Sequence, residues 1–172
     1  FFDVGAHVGR YTAYAGKLVG KNGKVVSIEP NPSNFSSLLE NIKLNALENV
    51  KAYNLAAADF NGVVELSYPK DFGRSSIVGK MGKSVKVQAM RLDCLMEMEN
   101  IEEVDWMKID VEGAELLVLK GLGERIKDVK RILIEVSHEN KNAFEAFIRE
   151  NDLKFKIISK HVRTNYYFVE RY

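Results

Sequence analysis

Phe2-Asp3-Val4-Gly5-Ala6-His7-Val8-Gly9 decides the fold. Residues 1–4 form a short apolar run that reads as a strand, and the glycines then let the backbone turn sharply and approach a ligand closely. Beyond the turn, Tyr11, Tyr14, Ala15 and Leu18 recur at i, i+3, i+4 and i+7, which predicts a helix with those residues on its inward face. Strand, glycine turn and helix together present backbone amides and partial positive charge to a nucleotide-like ligand. The spacing is not Gly-x-Gly-x-x-Gly, so a dinucleotide pyrophosphate is less well supported than a cofactor carrying an amino-acid moiety. Taken alone, the motif also reads as a tight turn with Asp3 capping the helix.

Outward from this turn, strands and helices alternate, which argues for a parallel sheet with helices on both faces. Gly20 ends the first helix and Asn22-Gly23 makes a turn. Residues 24–28 read as a second strand. Asn31-Pro32 supplies a cap and a first-turn proline for a helix whose apolar face is Phe35, Leu38, Leu39 and Ile42. A third strand is expected at residues 50–55. Residues 59–95 break the alternation: 63–68 and 85–90 read as strands and 70–84 as a loop, so a small β insertion is expected in place of a crossover helix. The pattern resumes with a strand at 104–111, a helix at 114–122, a strand at 131–136 and a helix at 142–150. Two last strands, 153–159 and 165–170, are expected to close the sheet edge as a hairpin.

Composition narrows the function. Of 172 residues 46% are hydrophobic, and 25 Lys and Arg against 24 Asp and Glu leave a formal charge of +1, so no global charge favours nucleic acid. Lys80-Met81-Gly82-Lys83 and Lys160-His161-Val162-Arg163 are basic, yet no aromatic and basic stripe suggests base stacking. The one cysteine, Cys94, cannot form an internal disulfide, and no ligand spacing calls for a metal. No apolar run approaches the ~20 residues of a membrane span, and a cytoplasmic location is expected. Phe1 and Phe2 run into the motif with no preceding Met, so a single domain over residues 1–172, truncated at its N-terminus, is expected. Oligomeric state is not legible.

Chemistry concentrates at the strand ends. Glu29 ends the second strand about 20 residues after the glycine turn, where doubly wound folds place an acid that accepts from ribose hydroxyls. Asp59, after the third strand, is a candidate acceptor for an adenine amino group, although Asp59-Phe60-Asn61-Gly62 is also an ordinary turn sequence. Asp110 ends a buried apolar strand, a costly place for an acid that is neither paired nor used, and alternation puts Lys108 on its face. Glu112 and Glu115 are also explained as acids in a first helical turn. His138 with Glu139, after the fifth strand, is a candidate base at the same rim, because imidazole titrates near neutrality. His7 reads as a cofactor-loop residue, and Leu92-Asp93 as a turn or helix cap.

Together these residues resemble the FkbM family of S-adenosylmethionine-dependent methyltransferases over nearly the whole chain. Asp3-Val4-Gly5-Ala6-His7-Val8-Gly9 with Thr12 is similar to the family's opening motif. Glu29-Pro30-Asn31-Pro32 with Asn41-Ile42-Lys43-Leu44-Asn45 is similar to its second. Arg91-Leu92-Asp93 and Ile134-Glu135-Val136 with His138 also fit, and Lys108-Ile109-Asp110-Val111-Glu112-Gly113-Ala114-Glu115 followed by Lys120-Gly121 carries the most specific likeness. His7 departs from the smaller polar residue, such as Asn, expected there.

The resemblance implies a Rossmann-like class I methyltransferase: an α/β fold with a seven-stranded, mostly parallel sheet, a small β insertion and a C-terminal antiparallel hairpin. It implies S-adenosyl-L-methionine held by Asp3, Gly5, Ala6, His7, Gly9, Thr12, Glu29, Pro30, Asn31, Asp59 and Asp110. Methyl transfer is then expected to a hydroxyl of a sugar, glycan or other small acceptor, with Asp110 or His138 as base and Glu112 orienting the acceptor. Two rival readings remain: an NAD-dependent oxidoreductase, since Glu29 suits that ribose equally, and a cofactor-binding domain without transfer activity.

Overall fold

Phe2–Val4 is the central strand, β1, and all three of its residues are buried. The computed structural model describes residues 1–68, 75–78 and 83–170. Around β1 lie β2 (Val25–Ile28), β3 (Val50–Tyr53), β7 (Met107–Ile109), β8 (Arg131–Ser137), β9 (Lys154–Lys160) and β10 (Thr164–Glu170). Their order is β3-β2-β1-β7-β8-β10-β9. The first five run parallel, and the last two close the edge antiparallel, as the sequence predicts. β1, β2 and β7 are buried throughout, which fits near-continuous apolar strands covered on both faces. The chain leaves β1 toward β2 on one side and returns through β7 on the other. Their carboxyl ends therefore flank the crevice where open α/β sheets bind ligands.

α1 (Arg10–Leu18) exists where predicted but buries a different face. Thr12, Ala15 and Gly16 face inward, whereas Tyr11, Tyr14 and Leu18 are exposed, Leu18 by 84%. Gly16 packs so closely on Leu47 and Val50 that the helix meets the sheet through its small side chains. α2 (Pro32–Leu44) begins as expected: the Asn31 side chain accepts from the Ser33 and Asn34 amides, with proline in the first turn. Leu38 is its fully buried residue, while Leu39 points outward.

The β insertion is a second sheet of β4 (Ala56–Ala57), β5 (Gly62–Tyr68) and β6 (Lys83–Met90), ordered β4-β6-β5, with a small core of Leu66, Val87 and Ala89. It does not replace the crossover helix. α3 (Leu92–Met98) follows it and buries Leu92, Leu95 and Met96 completely. Asp93 lies in its first turn, paired with Arg91 and accepting from the Cys94 amide. Of the loop expected at residues 70–84, residues 70–74 and 79–82 lie outside the described residues, and so does most of the basic stretch Lys80-Met81-Gly82-Lys83.

α4 (Glu115–Lys120), a 3₁₀ turn (Gly123–Asp128) and α5 (Lys141–Glu150) complete the fold. The strand expected from residue 104 shrinks to β7, because Val104 makes only an isolated bridge to Val129. At the hairpin, Phe144, Phe155 and Tyr167 form an aromatic cluster with centroids 4.6–6.1 Å apart, anchoring β9, β10 and α5. No helix among the described residues is long and apolar enough to cross a membrane.

Candidate functional site

The glycine turn is fixed from three sides. Gly5 and Ala6 both donate to the Ile28 carbonyl at 2.9 Å, tying the turn to the end of β2. A Cβ on Gly5, at φ 76°, would lie 1.8 Å from the Asp110 carbonyl oxygen, so only glycine lets the turn pass against the end of β7. His7 takes φ 52°, a left-handed conformation that His and Asn tolerate better than most residues, which accounts for the departure from Asn.

Glu29 organises the rim opposite. One carboxylate oxygen accepts the His7 amide at 2.8 Å, and the other accepts the Asn31 amide at 2.9 Å and, more distantly, Asn34 Nδ2 at 3.5 Å. The side chain is almost fully buried. Burial pushes its carboxyl above the usual range, and these N–H donors oppose the rise.

Behind the turn, Asp3 and Thr12 are wholly buried, and the Thr12 hydroxyl donates to Asp3 at 2.7 Å. The Lys108 ammonium donates to the Gly5 carbonyl at 2.7 Å and lies 3.3 Å from Asp3 Oδ1 and 3.6 Å from Asp110 Oδ2. The expected Lys108–Asp110 pair is present, but Lys108 chiefly braces the turn. Asp110 remains half-exposed at the crevice. Burial raises its carboxyl, Lys108 opposes the rise, and the Glu135 charge adds to it.

A cavity of about 330 Å³ opens over these groups. Gly5, His7, Glu29, Pro30, Asp110 and Glu112 line it, so the structure brings six of the sequence-predicted residues together. Asp3, Ala6, Gly9 and Thr12 do not line it: Thr12 bonds Asp3 behind the turn, and Ala6 and Gly9 belong to the turn itself. Asn31 caps α2, hands its amide to Glu29 and donates from Nδ2 to Ser75. Asp59 is not brought to the cavity: it follows β4, and its carbonyl accepts from Arg91. The apolar wall there is Ala56, Ala57, Leu66 and Ile77, supplied mainly by the insertion.

A second cavity of about 580 Å³ adjoins the first, and Asp110 and Glu112 line both. Its other acids are Glu115, Glu135 and Glu139, with His138 and Arg163 at the mouth. Between the cavities the backbone kinks, with Glu112 at φ 50° and Gly113 at φ 101°. Ser76 donates to the Glu112 carbonyl at 2.7 Å. Glu115, almost wholly buried, accepts the Gly113 amide and Asn140 Nδ2, each at 2.7 Å. Asn140 also donates to the Gly113 carbonyl at 2.9 Å. Glu115 is thus a buried clamp, more than a charge favouring a helix dipole, and Asn140 is a partner that sequence reasoning missed. His138 is exposed, and its amide donates to the Arg163 carbonyl at 3.0 Å, joining the loop after β8 to the hairpin turn. Among the described residues, no three His, Cys, Asp or Glu side chains converge as a metal site would require.

Residues 3–161 match the model of the Methyltransferase FkbM domain. Methyltransferase sdnD of Sordaria araneosa is 32% identical over 167 residues, covering 77% of this chain and 64% of that protein. The hexuronic acid methyltransferase AglP of Haloferax volcanii is 24% identical over 135 residues, covering 78% of this chain and 54% of that one. The chain therefore spans somewhat under two thirds of the length of these relatives. The crystal structure of a methyltransferase FkbM from Methylobacillus flagellatus superposes with a TM-score of 0.66 at 18% identity, covering 98% of this chain and 42% of that one.

Proposed function

This chain belongs to the FkbM methyltransferase family, and on that premise we propose that it transfers a methyl group from S-adenosylmethionine to a hydroxyl of a sugar, glycan or other small acceptor. One observation carries the proposal: Asp110 and Glu112 line both cavities, so a donor chamber and an acceptor chamber meet at two carboxylates.

The residues of the smaller cavity fit the donor. Glu29 has both oxygens oriented by backbone amides and, with about four acceptor sites on a carboxylate, keeps capacity for ribose hydroxyls. Ala56, Ala57, Leu66 and Ile77 suit the faces of an adenine ring, and Gly5 and His7 suit the amino-acid end. The donor supplies a methyl on a sulfonium centre, open to in-line attack.

The remaining work falls to this chain. Asp110 accepts the proton that the acceptor hydroxyl must lose, and its burial favours the protonated product of that step. Glu112 orients the acceptor. His138 with Glu139 is the second candidate base, on the exposed rim. Alignment of the reacting groups by two facing chambers is itself a large source of rate. The likeness to a hexuronic acid methyltransferase supports a sugar-type acceptor.

The test is a screen with labelled methyl donor over glycans, polyols, small alcohols and nucleic acid. Labelling of a hydroxylated acceptor, lost in Asp110→Asn, is the expected result. Donor binding with no acceptor labelled would instead favour a binding domain without transfer.

A further inference from the structure

We propose that Glu135 is a second acceptor-orienting carboxylate of the larger cavity, acting beside Glu112, and that Tyr166 and Thr164 are positioning residues that hold it for this task. The proposal rests on the methyl-transfer reading and names the part of the site that chooses which hydroxyl is presented to Asp110.

Glu135 sits on β8, where the parallel register pairs Ile109 with Ile134 and so carries Asp110 and Glu135 out of adjacent strands side by side. Adjacent strands lie about 4.8 Å apart, a separation that neighbouring hydroxyls of one small molecule can bridge. On the other side, β10 runs antiparallel and sets Tyr166 directly opposite Glu135, with Thr164 opposite Ser137 on the same face. The Tyr166 hydroxyl donates to Glu135 Oε2 and the Thr164 hydroxyl to Oε1, both at 2.6 Å. The Tyr166 ring is itself packed edge-on by His161, with centroids 5.5 Å apart.

Each oxygen of Glu135 is therefore held by one donor and keeps a further acceptor position, and the side chain lines both the larger cavity and the recess beneath the hairpin turn. A carboxylate serving only to join β8 to β10 has no need of the cavity wall, since neutral cross-strand pairs do that work. A carboxylate that accepts from a second acceptor hydroxyl needs both the wall and a rigid mount. Charge complementarity agrees: Asp110, Glu112, Glu115 and Glu139 share the cavity and outnumber its basic residues, His138 and Arg163, so it favours an occupant rich in hydroxyl donors.

The experiment measures binding of methyl glucoside, methyl mannoside and methyl galactoside, each beside its monodeoxy analogues, to the chain saturated with S-adenosylhomocysteine. The wild type is expected to prefer at least one parent glycoside over one of its deoxy partners by about tenfold or more. Glu135→Gln should bring that ratio close to one. Tyr166→Phe and Thr164→Val should lower it partway, with affinity for S-adenosylhomocysteine within about twofold of wild type in each variant. A purely structural Glu135 would weaken both members of a pair alike and leave the ratio intact, which overturns the proposal. Discrimination absent from the wild type overturns it as well. Should S-adenosylhomocysteine fail to bind, the donor reading falls instead, and the glycoside ratios are read on the unloaded chain.

Discussion

Gly5→Ala isolates the contact that joins the turn to the carboxyl end of β7. Two costs act there. Gly5 has φ 76°, where an L side chain is strained by about 1–2 kcal/mol. The new methyl would also lie 1.8 Å from the Asp110 carbonyl oxygen and 2.8 Å from its carbon, backbone atoms that cannot rotate away. Relief requires the turn and the strand end to part by about 1 Å, an overpacking that adds about 1–3 kcal/mol. Gly20 separates the two costs: its φ is 70°, but a Cβ there meets nothing within 4 Å. Urea denaturation should therefore place Gly20→Ala about 1 kcal/mol below wild type and Gly5→Ala about 3 kcal/mol below it. Calorimetry should show donor affinity lost only in Gly5→Ala, because the turn also floors the smaller cavity. Equal destabilisation by the two substitutions would refute the collision argument.

Three further outcomes are expected. Glu99, bonded by Lys24, Lys51 and Tyr53, has its carboxyl lowered from 4.5 to about 2, while the Tyr53 hydroxyl is pushed up to about 12. A lowered carboxylate stabilises the fold above its unfolded value and loses that contribution as pH falls, so Glu99→Gln should cost about 2 kcal/mol at neutral pH. The deficit should fade between pH 4.5 and about 2, as urea midpoints across that range would report. Asp110→Asn should slow methyl transfer by about a hundredfold or more. In the wild type, because Asp110 is raised, the acid limb of the rate profile should fall above the ordinary aspartate range; a rate flat through that region contradicts its role as base. Asn140→Ala takes the side-chain donor from buried Glu115 and leaves it backbone amides alone, and should cost about 2 kcal/mol in urea denaturation while raising the Glu115 carboxyl further, as carbon NMR would report.

The strands that build the crevice were legible because they are short, apolar and closed by turns, and Glu29 was located by its place at the end of the second strand together with its spacing from the glycines. The face of α1 was misread in part: hydrophobicity pointed to Tyr11, Tyr14 and Leu18 beside Ala15, while close helix-to-sheet approach kept Ala15 and selected Thr12 and Gly16 with it. Periodicity is silent about closeness, and a small side chain contributes little to it. α3 escaped notice because seven residues give barely two turns of pattern, next to an insertion that dominated the local reading. Asp59 and Asn140 mark the limit of local inference in opposite directions. Asp59 had a suggestive place in the order of elements, yet its turn faces Arg91. Asn140 had no signal, because its function exists only where the loop after β8 meets Gly113 and Glu115.

Calorimetric titration of the chain with S-adenosylmethionine and, separately, with NAD, in wild type and Glu29→Gln, tests the central claim most directly. The account predicts one site for S-adenosylmethionine, weakened about tenfold or more by the substitution, and no measurable NAD binding. Tight NAD binding with no affinity for S-adenosylmethionine would contradict it.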